Sequence, residues 1–78
     1  MDKNQILEEV HEIFREVLDN EEIELQFNTT SDDIEEWDSL THIQLIVAIE
    51  KHFKIKFTSM EIAGWKNVGD MIDCIILK

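Results

Sequence analysis

The segment Glu35-Glu36-Trp37-Asp38-Ser39-Leu40-Thr41-His42-Ile43 gathers the side chains best suited to chemistry: a carboxylate, a hydroxyl and an imidazole in close succession. It joins an acidic stretch to an apolar helical pattern. Asp38 is a good N-cap, since its carboxylate can accept first-turn backbone N–H groups. With Asp38 capping, Ser39 is the first helical residue and its hydroxyl is free to face solvent. A phosphodiester on that hydroxyl would lie beside unpaired N–H groups at the positive end of the helix dipole, with the nearby carboxylates opposing it. If Ser39 itself caps, its hydroxyl must give up that bond on modification. A serine ahead of an apolar helix is usually only a cap, so Asp38-Ser39-Leu40 does not by itself establish a modification site.

Other chemistries fit less well. Asp38, Ser39 and His42 lie within about one helical turn, and no Gly-rich oxyanion loop follows them, which argues against a hydrolytic triad. His11, His42 and His52 are scattered and pair with no Cys at zinc-ligand spacing, so they read as surface or boundary residues. Asp32, Asp33, Glu35, Glu36 and Asp38 lack the central Gly and closing Glu of a calcium loop. No metal site is expected.

The elements that position Ser39 follow from periodicity. Ile6, Leu7, Val10, Ile13, Phe14, Val17 and Leu18 form one apolar stripe, which predicts a first helix over 3–19, opened by Asp2 with Gln5 three residues on. Residues 20–38 show no sustained period. Leu25 with Phe27, and Ile55 with Phe57, alternate too briefly for a sheet and read as loop residues dipping into a core. A second helix begins at Asp38 or Ser39. Its apolar residues Leu40, Ile43, Leu45, Ile46, Val47, Ile49 and Phe53 cover more than one face, which predicts contact from several sides. Lys51, His52 and Lys54 near its end suit the helix dipole. Ser59–Ala63 forms a short turn closed by Gly64. Asn67 caps a last helix whose buried stripe is Val68, Met71, Ile72, Ile75 and Ile76. Trp65 anchors the core before it. Trp37 suits a structural role, a partner contact or a lid over the loop, and Cys74 a half-buried small hydrophobe. The expectation is an all-α fold: a small four-helix bundle with three main helices, one short helix and a long first loop, in a single domain spanning 1–78.

Bulk properties narrow the function classes. A chain of 78 residues buries a modest core and leaves little room for a deep catalytic pocket. No apolar run is long enough to cross a bilayer, and no h-region stands at the N-terminus. The single Cys74 suits a reducing compartment, and the cytoplasm is the expected location. The net charge is −11, with 14 acidic and 2 basic side chains in residues 1–39 against 4 and 5 in residues 40–78. That field argues against nucleic acid or membrane insertion and favours partners with basic surfaces.

The whole chain, over about residues 3–77, resembles the acyl carrier protein family. The resemblance rests on the length, the long first loop, Asp38-Ser39-Leu40 in mid-chain, the continuation Ile43-x-Leu45-Ile46-Val47-Ala48-Ile49-Glu50-x-x-Phe53, and the tail, with a short turn around Met60 to Ala63 and a last helix from Val68. It implies a four-helix bundle that is not an enzyme. In it Ser39, flanked by Asp38 and Leu40, carries 4′-phosphopantetheine. A phosphopantetheinyl transferase installs that arm from coenzyme A, and acyl-loading and acyl-processing enzymes with basic docking patches read the second helix. Glu36, Asp38 and Glu50 are the expected partner contacts. Thr41 and Gln44 stand where fatty-acid-synthesis members commonly carry acids, and Trp37 where a small residue is common. Lys51, His52, Lys54 and Lys56 add positive charge further along. The Gly-Gly pair usual in peptide-synthetase carriers is absent before the motif. The Trp-Asp-Ser-Leu form is similar to specialised single-domain carriers serving secondary metabolites or surface polysaccharides. The implied function is to present acyl groups to fatty-acid, polyketide or specialised biosynthetic enzymes, with the protein a monomer. The rival reading is an acidic helical interaction module whose serine stays unmodified.

Overall fold

In the computed structural model, which describes residues 2–78, the chain opens on a helix, α1 (Lys3–Val17), capped by Asp2 accepting the Gln5 N–H at 2.8 Å. Ile6, Val10, Ile13 and Phe14 form its buried face. The helix stops two residues short of the expected 19 because Leu18 caps it and Asp19 turns into the left-handed region, φ 53°. Asp tolerates that conformation better than most side chains, because its carboxylate can bond locally.

The long connection that follows is packed rather than loose. Ile23, Leu25, Ile34 and Trp37 are buried in the same core as the helices. The Ile23 carbonyl is held to α1 by His11 Nε2 and by Arg15 Nε, which donates at 3.0 Å. Leu25 dips into the core as expected; Phe27 is more than a third exposed. Ser31–Asp33 forms a 3₁₀ turn, absent from the sequence reading, closed by a reciprocal Thr30–Asp33 capping box. The Thr29 and Phe27 carbonyls accept the Val68 and Gly69 N–H groups at 2.9 and 2.7 Å. Those are first-turn donors of the last helix, which have no partner within that helix. Residue 69 must be small for this contact: a Cβ there would sit 2.8 Å from the Phe27 carbonyl oxygen.

The remaining helices are α2 (Ser39–Phe53), α3 (Ser59–Ala63) and α4 (Val68–Leu77), and the described residues contain no strand. The all-helical, four-helix expectation holds. Thr58 and Asn67 cap α3 and α4 by accepting the Glu61 and Asp70 N–H groups. Helix α1 packs against both α2 and α4. Leu45, Ile46 and Ile49 give α2 its buried face, while Leu40, Ile43 and Val47 are 66%, 61% and 42% exposed. The apolar surplus on α2 therefore faces outward and not into a second packing layer. In α4, Val68, Met71, Ile72 and Ile75 are buried as expected, but Ile76 lies on the solvent side.

Glu9 Oε1 meets His52 Nε2 at 2.8 Å, tying α1 to the end of α2. Cys74 is half-buried and accepts the Trp65 indole N–H at 3.2 Å. Among the described residues, no helix is long and apolar enough to cross a membrane.

Candidate functional site

The start of α2 is built around Asp38. Its Oδ1 accepts the Leu40 and Thr41 backbone N–H groups at 3.0 and 2.9 Å. Thr41 answers through Oγ1, which accepts the Asp38 N–H at 2.8 Å and donates to the Glu36 carbonyl at 2.9 Å. This is a capping box with Thr in the place that Glu or Gln commonly takes. The N–H bond from Thr41, foremost, holds the Asp38 carboxyl below its ordinary range. Since Asp38 does the capping, Ser39 is the first residue of the helix. It is exposed, and among the described residues its hydroxyl takes no hydrogen bond.

One turn on, His42 projects from the same side of α2 as Ser39. The Trp37 indole N–H donates to His42 Nδ1 at 3.0 Å, and the two rings stack at 5.9 Å. That bond leaves the ring proton of a neutral His42 on Nε2. Partial burial pushes the His42 pKa down. Trp37 itself is 8% exposed and meets the Phe14 ring edge-on at 4.9 Å. It is a core residue, so the structural role open to it in the sequence is observed. Sequence reasoning weighed Trp37 and His42 apart. Their link spans a helix cap, where neither helical nor strand periodicity applies.

Beside Ser39 opens a cavity of about 430 Å³. Trp37 and His42 line it together with Trp65 and Met71, brought from the far end of the chain. Trp65 was expected to anchor the core, and it packs against it half-buried. The described residues hold no cluster of three or more His, Cys, Asp or Glu placed for a metal.

The other expected contact residues are placed unevenly. Leu40 and Gln44 are exposed on α2. Glu36 is exposed, with its carboxylate accepting from Asn20 Nδ2 at 2.7 Å. Glu50 is half-buried, and its Oε2 accepts the Phe57 N–H at 2.9 Å, which holds the chain after α2. Thr41 is committed to the cap. Glu36, Asp38, Thr41 and Glu50, four of the residues considered for partner recognition, thus also serve the fold.

An exposed hydroxyl without a bond, at the N-terminus of a helix capped by its neighbour, fits a phosphodiester. The adjoining cavity, walled by aromatic and polar side chains, gives an attached arm somewhere to lie. The chain matches the family model for the phosphopantetheine attachment site over residues 8–75. It is 46% identical to the holo acyl carrier protein from Geobacter metallireducens, whose solution structure superposes with a TM-score of 0.87 over 92% of this chain and 83% of that one. No curated protein matches in sequence. The chain belongs to the acyl carrier protein family: it is a carrier of covalently attached 4′-phosphopantetheine and not an enzyme.

Proposed function

We propose that Ser39 is the attachment residue and that residues 1–78 act as one carrier unit, presenting acyl groups to biosynthetic enzymes of a specialised pathway. The observation that carries this reading is the division of labour at the start of α2. Asp38 caps, Thr41 braces the cap, and the Ser39 hydroxyl is left exposed and unbonded. When attached, the arm supplies a thiol that carries acyl groups as thioesters. The chain's own residues do the rest. The positive end of the α2 dipole faces the phosphodiester's charge, Asp38 keeps the hydroxyl out of the cap, and Trp37 with His42 shapes the cavity beside it.

A phosphopantetheinyl transferase is the first partner, with coenzyme A as donor of the arm. Enzymes that load and process acyl groups follow. The specialised-pathway reading is supported by Thr41 and Gln44, which offer no charge where fatty-acid-synthesis carriers commonly offer acids. Thr41 is also bound into the cap, so replacing it alters the helix start as well as the surface. The lone, half-buried Cys74 supports a cytoplasmic carrier.

The test is intact-protein mass after incubation with coenzyme A and a broad-specificity transferase. Wild type should gain one arm, and Ser39→Ala none. Circular dichroism on the same samples should show an unchanged fold, with a loss below about 1 kcal/mol, since an exposed first-turn serine contributes little once Asp38 caps. An adduct that persists in Ser39→Ala moves the site elsewhere. Wild type that stays unmodified with several transferases returns the weight to an unmodified interaction module.

A further inference from the structure

The exposed face of α2 changes character along its length. Leu40, Ile43, Val47, Lys51 and Lys54 follow one another at spacings of three and four, which places them on one helical stripe. The first three are apolar and exposed, beginning beside Ser39. The last two, joined by Lys56, are basic and exposed. Lys51 stands about 18 Å along the helix from Ser39 at 1.5 Å per residue. Val47, Glu50, Lys51, Lys54, Ile55 and Lys56 line a shallow cleft there of about 460 Å³.

These lysines are a local exception in a chain of net charge −11. Among the described residues, the ion pairs use Lys3, Arg15, His52 and Lys78, and none uses Lys51, Lys54 or Lys56. Glu50 is the one acid in the cleft, and one of its oxygens is engaged by the Phe57 N–H. His52, on the same turn, is engaged by Glu9. The acidic residues 1–39 leave the three ammonium groups without an internal partner. A basic partner surface would meet like charge here, which costs binding free energy; a surface carrying carboxylates would not.

We propose that enzymes reading this carrier along α2 set their own carboxylates against Lys51, Lys54 and Lys56, beyond the exposed apolar residues Leu40, Ile43 and Val47. Their polarity at this end is the reverse of the basic patches expected near Ser39. The proposal rests on the carrier reading above. It deepens that reading by stating the chemistry of the partner and the direction in which it lies on the helix.

The test uses the full-length holo chain, loaded with acyl groups, and purified carrier-dependent ketosynthases and acyltransferases that accept it. Lys51→Glu/Lys54→Glu/Lys56→Glu should lower kcat/KM by at least about 10-fold, and the matching triple Gln variant by less. Carbodiimide coupling should join these lysines to Asp or Glu side chains of the enzyme. Changing those carboxylates to Lys should restore turnover with the triple Glu variant. Unchanged kcat/KM in the triple Glu variant would overturn the proposal. So would a fall in kcat/KM that matches a fall in helicity and melting temperature without coupling, because the lysines would then only support the end of α2. Binding of wild type to phosphatidylserine vesicles, lost in the variant while enzyme turnover stays the same, would assign the patch to lipid headgroups and overturn it too. Arm attachment, read by mass on the same variants, should be unaffected. Its absence in wild type would sink the carrier reading itself, a separate and visible failure.

Discussion

At the start of α2 the polar groups answer one another: Asp38 bonds Leu40 and Thr41, Thr41 bonds Asp38 and Glu36, and Trp37 bonds His42. At its end three lysines stand exposed with no ion pair among the described residues. Both ends lie on one 15-residue helix, so helix propensity does not explain the difference. The first end uses internal hydrogen bonds to fix its geometry and leaves a single hydroxyl unbonded. The second leaves charge where another molecule can meet it. A covalent attachment site needs the first arrangement, because a modifying enzyme must find one oxygen in one place. A transient docking surface needs only the second, because steering works through charge and tolerates mobile side chains.

The largest expected effect comes from removing the wall behind the first end. Trp37→Ala deletes a buried ring, its edge-on contact with Phe14 and its bond to His42. The expected loss is about 3–5 kcal/mol, read from the midpoint of chemical denaturation. A change under about 1 kcal/mol would show that the ring is a removable cover, and the contrast between a rigid start and an open end would collapse.

Asp38→Ala should cost less, about 1 kcal/mol for the lost cap. It should also slow arm attachment, because the start of the helix loses its fixed register. Thr41→Ala should follow in the same direction. If neither variant changes the transferase rate while both lower stability, the cap serves the fold and not the presentation of Ser39.

Much of this was open to sequence reasoning, and the parts that were not share a cause. The helix caps Asp2, Asp38 and Asn67 are local events, settled by a side chain and the N–H groups two or three residues on, so they could be read directly. The place of Ser39 as first helical residue followed from Asp38 as its cap. The packing of α2 could not be read this way. Leu40, Ile43 and Val47 look like core in a periodicity argument, and only the placement of α1 and α4 shows that no element covers them. The 3₁₀ turn at Ser31–Asp33 depends on a box three residues wide within a stretch with no period. The tie from Phe27 and Thr29 to Val68 and Gly69 joins residues some forty positions apart, and nothing in either segment announces it. The cavity beside Ser39 is the same case, since Trp65 and Met71 reach it only through the fold.

Acid should discriminate the two ends as well. Burial lowers the His42 pKa from an ordinary 6.5, and its Nδ1 must stay unprotonated to accept from Trp37. The unfolded chain therefore binds the proton more readily than the folded one. Stability is full above the ordinary value and falls as pH drops below it toward the folded value. The Asp38 and Glu61 carboxyls, both lowered, extend the loss at more acid pH, below their ordinary range near 4. Melts between pH 7.5 and 5 should thus decline in wild type and flatten in His42→Gln. Equal slopes in both proteins would remove His42 from the account.

The smallest expected effect is on ionic strength, and it concerns the whole charge field. Residues 1–39 carry a charge of −12 and residues 40–78 a charge of +1. Raising salt weakens the exposed pairs Lys3–Asp73 and Arg15–Glu12, each worth little to begin with. It also weakens repulsion among the many acids of α1 and the long connection, which have few cations near them. Repulsion is the larger sum, because it acts over distances near the Debye length, about 10 Å at 0.1 M salt. Melting temperature should therefore rise from low to moderate salt, by a gain below about 1 kcal/mol, or at most roughly 4–8 °C in a domain of this size. The three-lysine Glu variant should show a steeper rise than wild type, since it adds acids to the one end that lacked them. A flat or falling series in wild type would mean that the lysines at the end of α2 already balance the field at a distance, and their freedom to meet a partner would then carry a cost in stability.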